Sequence, residues 1–184
     1  MDDFKGILIS IKPKWCELIA SGIKTIEVRK TKPRIDTPFK CYIYETKTKD
    51  YYSVFHETTM GKVIGEFACE DILEFEENLY GEFSMYDDEL QNTCLTQFDL
   101  VKYSSGRTKL YGWEISNFKK YDKPKELSEF YTRCRMDCEL CKMWGHTRVN
   151  ADEFDMDCKS DWVNHKPILR PPQSWCYAKE AYNG

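Results

Sequence analysis

The chain has 184 residues, 41% of them hydrophobic and 15% aromatic, with nine cysteines and a formal net charge of -4. That length suits one domain with its own core, or a small domain with an elaboration, and excludes two large domains. So much aromatic side chain excludes a disordered or low-complexity chain, and the net charge excludes a generally basic nucleic-acid binder.

Charge is nevertheless segregated along the chain. Residues 1 to 49 carry eleven Lys or Arg against six Asp or Glu, a net of +5, whereas residues 60 to 100 carry one lysine, Lys62, against eleven acids, a net of -10. The first segment can therefore present a local basic face, or the two segments can pair with each other. No stretch reaches the roughly 20 apolar residues of a membrane helix, and the apolar run in "MDDFKGILIS" is too short for a signal-peptide core. The expected location is cytoplasmic, with no membrane partner.

The apolar run from Ile7 to Ile11 predicts a strand. Pro13 suits the first turn of a helix, Trp15, Leu18 and Ile19 recur at i, i+3 and i+4, and Gly22 suits a left-handed cap, so a short amphipathic helix is predicted over 13–21. In "KTIEVRK" alternation puts Thr25, Glu27 and Arg29 on one face of a second strand and Ile26 and Val28 on the other, toward the core. A strand is predicted over 39–46, a surface loop around His56, and a long β-rich run in "GKVIGEFACEDILEF" with a bend at Gly65. Residues 84 to 101, with Ser84 as cap and Tyr86, Leu90, Cys94 and Phe98 at helical spacing, predict one helix. "KLYGWEISNFKKYD" predicts a strand, "LSEFYTRC" a short helix and "RPPQSWCYAKE" a terminal strand. The absence of regular β-α alternation predicts an α+β fold on a small barrel or strongly bent sheet.

The stretches "ISIKPKWCELIASGIKTIEVRK", "YIYET", "GKVIGEFACEDI", "YGWEISNF" and "PPQSWCYAKE" resemble an ASCH domain, a family of the PUA-like superfamily, over about residues 7 to 120 and 167 to 180. The resemblance implies a small PUA-like β-barrel with short flanking helices and a cleft between the first helix and the barrel. Residues 1–130 with 166–184 would form the barrel, and 131–165 a cysteine-rich insertion. It also implies RNA or a modified nucleotide as partner. Some small members are amidohydrolases acting on N4-acylated cytidine, with a lysine and a threonine on this strand and a distant glutamate. Lys24 matches the lysine, but Glu27 occupies the threonine position, which leaves Thr25 as the nearest hydroxyl.

The residues themselves fit a polar cleft. Lys12, Lys24, Arg29 and Lys30 offer cations for phosphate, Glu27 an acceptor for a base edge or ribose hydroxyl, and Trp15, Trp113 or Trp175 a ring face for stacking. The same residues also fit a surface Glu27–Arg29 ion pair of about 0 to 1 kcal/mol and three core tryptophans. For hydrolysis the candidates are Lys24, Thr25 and Glu27, with an acid near Glu89 as a further partner.

Cys16, Cys41, Cys69, Cys94 and Cys176 are scattered among apolar residues and read as small core side chains. Cys134, Cys138, Cys141 and Cys158 are clustered, with Cys138 and Cys141 in a Cys-x2-Cys pair. Four thiolates at tetrahedral corners suit a closed, structural Zn site, with His146 and His165 as substitutes for one cysteine. The surrounding segment is polar and short of aliphatic residues, so a metal would supply the cross-link it needs to fold. Three functional classes follow: a binding module for RNA or a modified nucleotide, an amidohydrolase, and an adaptor that docks a protein partner through the cysteine-rich segment.

Overall fold

The computed structural model describes residues 6–48, 59–132 and 166–181. A six-stranded mixed sheet runs β2-β5-β4-β3-β1-β8, where β1 is Gly6–Ile11, β2 Ile26–Arg29, β3 Phe39–Glu45, β4 Val63–Glu76, β5 Lys109–Lys125 and β8 Trp175–Tyr177. Among the described residues three α-helices accompany it: α1 (Pro13–Ala20), α2 (Asp87–Thr93) and α3 (Gln97–Ser104). The fold is α+β, as the sequence predicts, but the sheet is a curled half-barrel, not a closed barrel: β2 and β8 remain its edges. Register shifts between β4 and β5, and one in β3 at Ile43/Tyr44, supply the curl, because each extra residue bends its strand.

The apolar run at the start forms β1 and is buried at all six positions. It pairs parallel with β3 on one side and antiparallel with β8 on the other, and a strand covered on both faces reads as a continuous apolar run. One face packs Ile7, Ile9 and Ile11 with Cys16 and Ile19 of α1 and with Trp113. The opposite face packs Leu8 with Tyr42, Tyr44, Phe130 and Ala178. A third cluster joins Val28 of β2 to Phe75, Phe83, Leu110 and Leu100 of α3.

Helix α1 begins and ends as its residues dictate, with Pro13 in the first turn and Gly22 at φ +73° just after it. The predicted helix over 84–101 is instead two. Cys94 takes a left-handed φ of 56°, and Thr96 starts α3 with a reciprocal cap: its hydroxyl accepts from Asp99 N (3.1 Å) while the Asp99 carboxylate accepts from Thr96 N (3.0 Å). A cap of that strength starts a new helix more cheaply than continuing the first one through Cys94 and Leu95. Tyr86, not Ser84, is the N-cap of α2. "LSEFYTRC" is not an α-helix either; a single 3-10 turn, Leu127–Glu129, leads into β6 (Phe130–Thr132).

β6 pairs with β7 (Lys166–Pro167) and β9 (Lys179–Glu180) in a small second sheet. Thr132 and Lys166 face each other in its register, so the chain leaves and re-enters the described fold at neighbouring positions. The four clustered cysteines, His56, His146 and His165 lie outside the described residues. Of the scattered cysteines, Cys16, Cys41 and Cys69 are buried, and Cys94 and Cys176 are half-buried. No helix among the described residues is long and apolar enough to cross a membrane.

Candidate functional site

The site starts at the end of α1. After Gly22 the chain folds back so that Ile23 N and Lys24 N both donate to the Leu18 carbonyl, at 3.0 and 2.9 Å, and this turn sends the Lys24 side chain inward. Lys24 is only 2% exposed, and its Nζ reaches three acceptors: Ile26 O at 2.8 Å, Thr93 O at 2.6 Å and Glu27 Oε2 at 3.3 Å. Glu27 is 7% exposed, and its other oxygen lies 3.0 Å from Arg29 Nη2, which also donates to Ser10 O at 2.8 Å. The strand's polar face thus does not meet solvent. It forms a buried Lys24–Glu27–Arg29 chain of alternating charge in which each partner offsets the desolvation of the next.

Above this chain opens a cleft of 1490 Å³, walled by α1, by α3 and by the Ile168–Ser174 segment that leads into β8. Among the described residues, Lys12, Lys24, Arg29, Lys30, Lys47, Lys102 and Arg107 line it against three acids, Glu27, Asp99 and Glu126. Trp15, Tyr44 and Tyr103 are its aromatic side chains. Lys24 Nζ lies 5.3 Å and Lys14 Nζ 4.5 Å from the Trp15 ring centre, so that ring carries cations on its π-system. Lys30 stands likewise over Tyr103, at 5.0 Å, and donates to Ser105 Oγ at 3.0 Å. Burial pushes the Tyr103 hydroxyl above its ordinary pKa, with Arg29 pulling the other way.

The structure therefore brings Lys12, Trp15, Lys24, Glu27 and Arg29 together on one cleft. It separates the other two tryptophans from it. Trp113 is fully buried, edge-on to Phe39 at 5.6 Å, and belongs to the core. Trp175 packs against Trp113 at 5.9 Å and donates through Nε1 to Thr31 Oγ1 at 3.1 Å. Neither lines the cleft, because β5 and β8 turn these positions toward the sheet's packed face. Thr25 is also outside the lining; its backbone ties α2 to β5 through Asn92 O and Ile115 N. Glu89 serves the α2 cap, accepting from Tyr86 N at 2.7 Å.

Sequence reasoning passed over Ser10, Lys102, Tyr103 and Arg107. A signal for three cleft residues was present: Asp99, Lys102 and Tyr103 stand at i, i+3 and i+4 and so share one helix face. The segregated charges divide between both expected uses. Lys40 pairs with Glu66 at 3.1 Å, and Lys32 with Glu74, while other cations of the first segment collect on the cleft. The cysteine ligand set and a protein partner docked there lie outside the described residues, and among the described residues no group of three or more His, Cys, Asp or Glu is placed to hold a metal.

The crystal structure of ASCH from Zymomonas mobilis has the same fold, with a TM-score of 0.57 at 19% identity over 96% of this chain and 90% of that one. A serine-to-alanine mutant of that protein gives 0.58 at 18% identity, covering 97% and 92%, and a tyrosine-to-phenylalanine mutant gives 0.54 at 17%, covering 95% and 91%. No curated protein matches this sequence. The ASCH domain model matches residues 9–136, which holds the whole Lys24–Glu27–Arg29 strand and α1 to α3, and the chain belongs to the ASCH domain family.

Proposed function

We propose that the cleft binds RNA or a modified nucleotide. The observation that carries this reading is the excess of seven Lys and Arg over three acids around a cavity that also exposes the Trp15 ring. Phosphates favour such a cationic rim, and a base offers a π-face to the indole. RNA binding is also what is proposed for the family at large. At 1490 Å³ the cavity exceeds the roughly 300–1,000 Å³ of a usual small-molecule pocket, which favours a strand or a large nucleotide over a free base. The test is binding of short single-stranded RNA as a function of salt: a steep fall in affinity supports the reading, and no binding at low salt overturns it.

Hydrolysis of N4-acylated cytidine is the second reading, favoured by Lys24 and Glu27 lining the cleft in contact at 3.3 Å. Two features weigh toward binding. Thr25, the nearest threonine, is not in the cleft lining. Lys24 Nζ donates to two backbone carbonyls and pairs with the Glu27 carboxylate, contacts that suit an anchoring role. Turnover of N4-acetylcytidine that disappears in Lys24→Ala would reverse this ranking. For the segment beyond Thr132, the spacing of Cys134, Cys138, Cys141 and Cys158 supports a structural Zn site.

A further inference from the structure

Two walls of the cleft differ in chemistry. One stands on β1, where Ser10 N donates to Ser174 O at 3.0 Å and Ser10 Oγ to Pro172 O at 2.7 Å. Farther back in the same segment Ile168 N donates to Phe130 O at 2.8 Å, and the Ile168 side chain is buried beside Leu127. The segment is thus fastened at both ends, and Pro171 and Pro172 restrict the backbone between. The six residues that line the cleft from it, Ile168, Leu169, Pro171, Pro172, Gln173 and Ser174, carry no charge, and Arg170 lies outside the lining. Leu169 is 76% exposed although it belongs to that lining, and Pro171 is exposed with it.

The other wall stands on β2, where Leu100 of α3 packs with Val28 and Lys30 lies over the Tyr103 ring. It presents Lys30, Lys102 and Arg107 against Asp99, a formal excess of two positive charges. The bond from Arg29 Nη2 to Ser10 O, 2.8 Å, joins the two strands on which the walls stand. The remaining rim charges, Lys12, Lys47 and Glu126, belong to neither wall.

A single strand of RNA is divided in the same way, with charged phosphates along its backbone and apolar faces on its unpaired bases. Phosphates gain from the α3 wall and gain nothing from an uncharged one. Base faces release water from Leu169 and Pro171 when they cover them, and a wall already held in place loses little freedom on being covered. We propose that single-stranded RNA lies sideways in the cleft, with its phosphates along Lys30, Lys102 and Arg107 and its base faces against the Leu169–Pro171 wall. Leu169 is then a base-contacting residue, and its aliphatic side chain, which makes no hydrogen bond, tolerates any of the four bases. This proposal rests on the RNA-binding reading above and adds to it an orientation and a division of labour between the walls.

The test compares two fluorescent ligands on the full chain: a single-stranded RNA, and a ribose-phosphate chain of the same length without bases. The RNA should bind at least about tenfold more tightly, the range of one covered base face. Leu169→Ala should weaken RNA binding by roughly three- to tenfold, the loss expected when part of an apolar side chain is no longer covered, and leave the baseless chain and the salt slope unchanged. Leu169→Met, which keeps the apolar surface, should restore the RNA affinity. Arg107→Ala should weaken both ligands alike and reduce the slope of log affinity against log salt by about 1. Equal affinity of the two ligands for the wild type, or an Leu169→Ala chain that binds RNA as the wild type does, overturns the sideways placement and leaves the RNA reading standing. Absence of RNA binding at low salt overturns both.

Discussion

The Thr93 carbonyl accepts from Lys24 Nζ at 2.6 Å across 69 residues of sequence. Through this bond the end of α2 helps to set the position of the cleft floor, because the same ammonium holds Ile26 O and the Glu27 carboxylate. The acidic segment is therefore part of the site's frame, although α2 contributes no acid to the cleft.

Replacing Lys24 by Met should leave two buried carbonyls without a donor and Glu27 with only Arg29 as its cation. The expected loss is about 3 kcal/mol, typical of removing one partner of a buried ion pair. Urea midpoints measure it, and Lys24→Met with Glu27→Gln should recover part of the loss by removing the stranded charge.

Gly112 sits where β5 crosses beneath Phe75. A Cβ there would lie 2.6 Å from Phe75 Cε2 and 2.9 Å from Ile26 Cγ2, inside van der Waals contact with a buried ring and a buried methyl. Gly112→Ala should cost about 1 to 3 kcal/mol by overpacking. Because Ile26 borders Glu27, the melting temperature and RNA affinity should fall together.

Lys12 and Lys102 are exposed rim cations that face the cleft from α1's start and from α3. Lys12→Ala and Lys102→Ala should each weaken RNA binding to a similar degree across sequences and reduce the slope of log affinity against log salt by about 1. Stability should stay within about 0.5 kcal/mol of wild type, as for other surface changes. Fluorescence anisotropy at several salt concentrations, with parallel thermal melts, checks both.

Partial burial raises the Glu66 carboxyl, but hydrogen bonds from the Tyr121 hydroxyl (2.7 Å) and from Lys40 (3.1 Å) outweigh it and hold the group below its ordinary pKa. A folded-state value below the unfolded one contributes stability above the unfolded pKa of about 4.3, and that contribution is lost as pH falls through the lower folded value. Tyr121→Phe removes one of these bonds. Its destabilisation, read as a urea midpoint, should be larger at pH 6 than at pH 2.5; an equal loss at both would remove Glu66 from the account.

Elemental analysis of protein purified without added metal should find about one zinc per chain. Cys138→Ser should lower that content and expose the segment beyond Thr132 to proteases. A folded wild-type chain free of zinc would dispose of the cysteine-ligand proposal.

Much of the frame was legible in the sequence because its causes are local. Pro13, the Trp15/Leu18/Ile19 spacing and Gly22 define α1 within ten residues, and alternation in "KTIEVRK" separates a polar from an apolar face. The unbroken run of β1 announces a strand. What those letters do not carry is what covers each face. Glu27 and Arg29 look like solvent-facing residues in one dimension and are buried because α2 and β5 close around β2. The three candidate tryptophans are equivalent by composition, and only the packing of Trp113 on Phe39 and of Trp175 on Trp113 draws two of them to the core, leaving Trp15 at the cleft. Side-chain periodicity is a property of a segment, while burial and charge balance depend on contacts between segments tens of residues apart. The sequence by itself therefore determined the helix, the strands and the family; the tertiary structure decided that the strand's charges form a buried Lys24–Glu27–Arg29 chain beneath a cationic cleft.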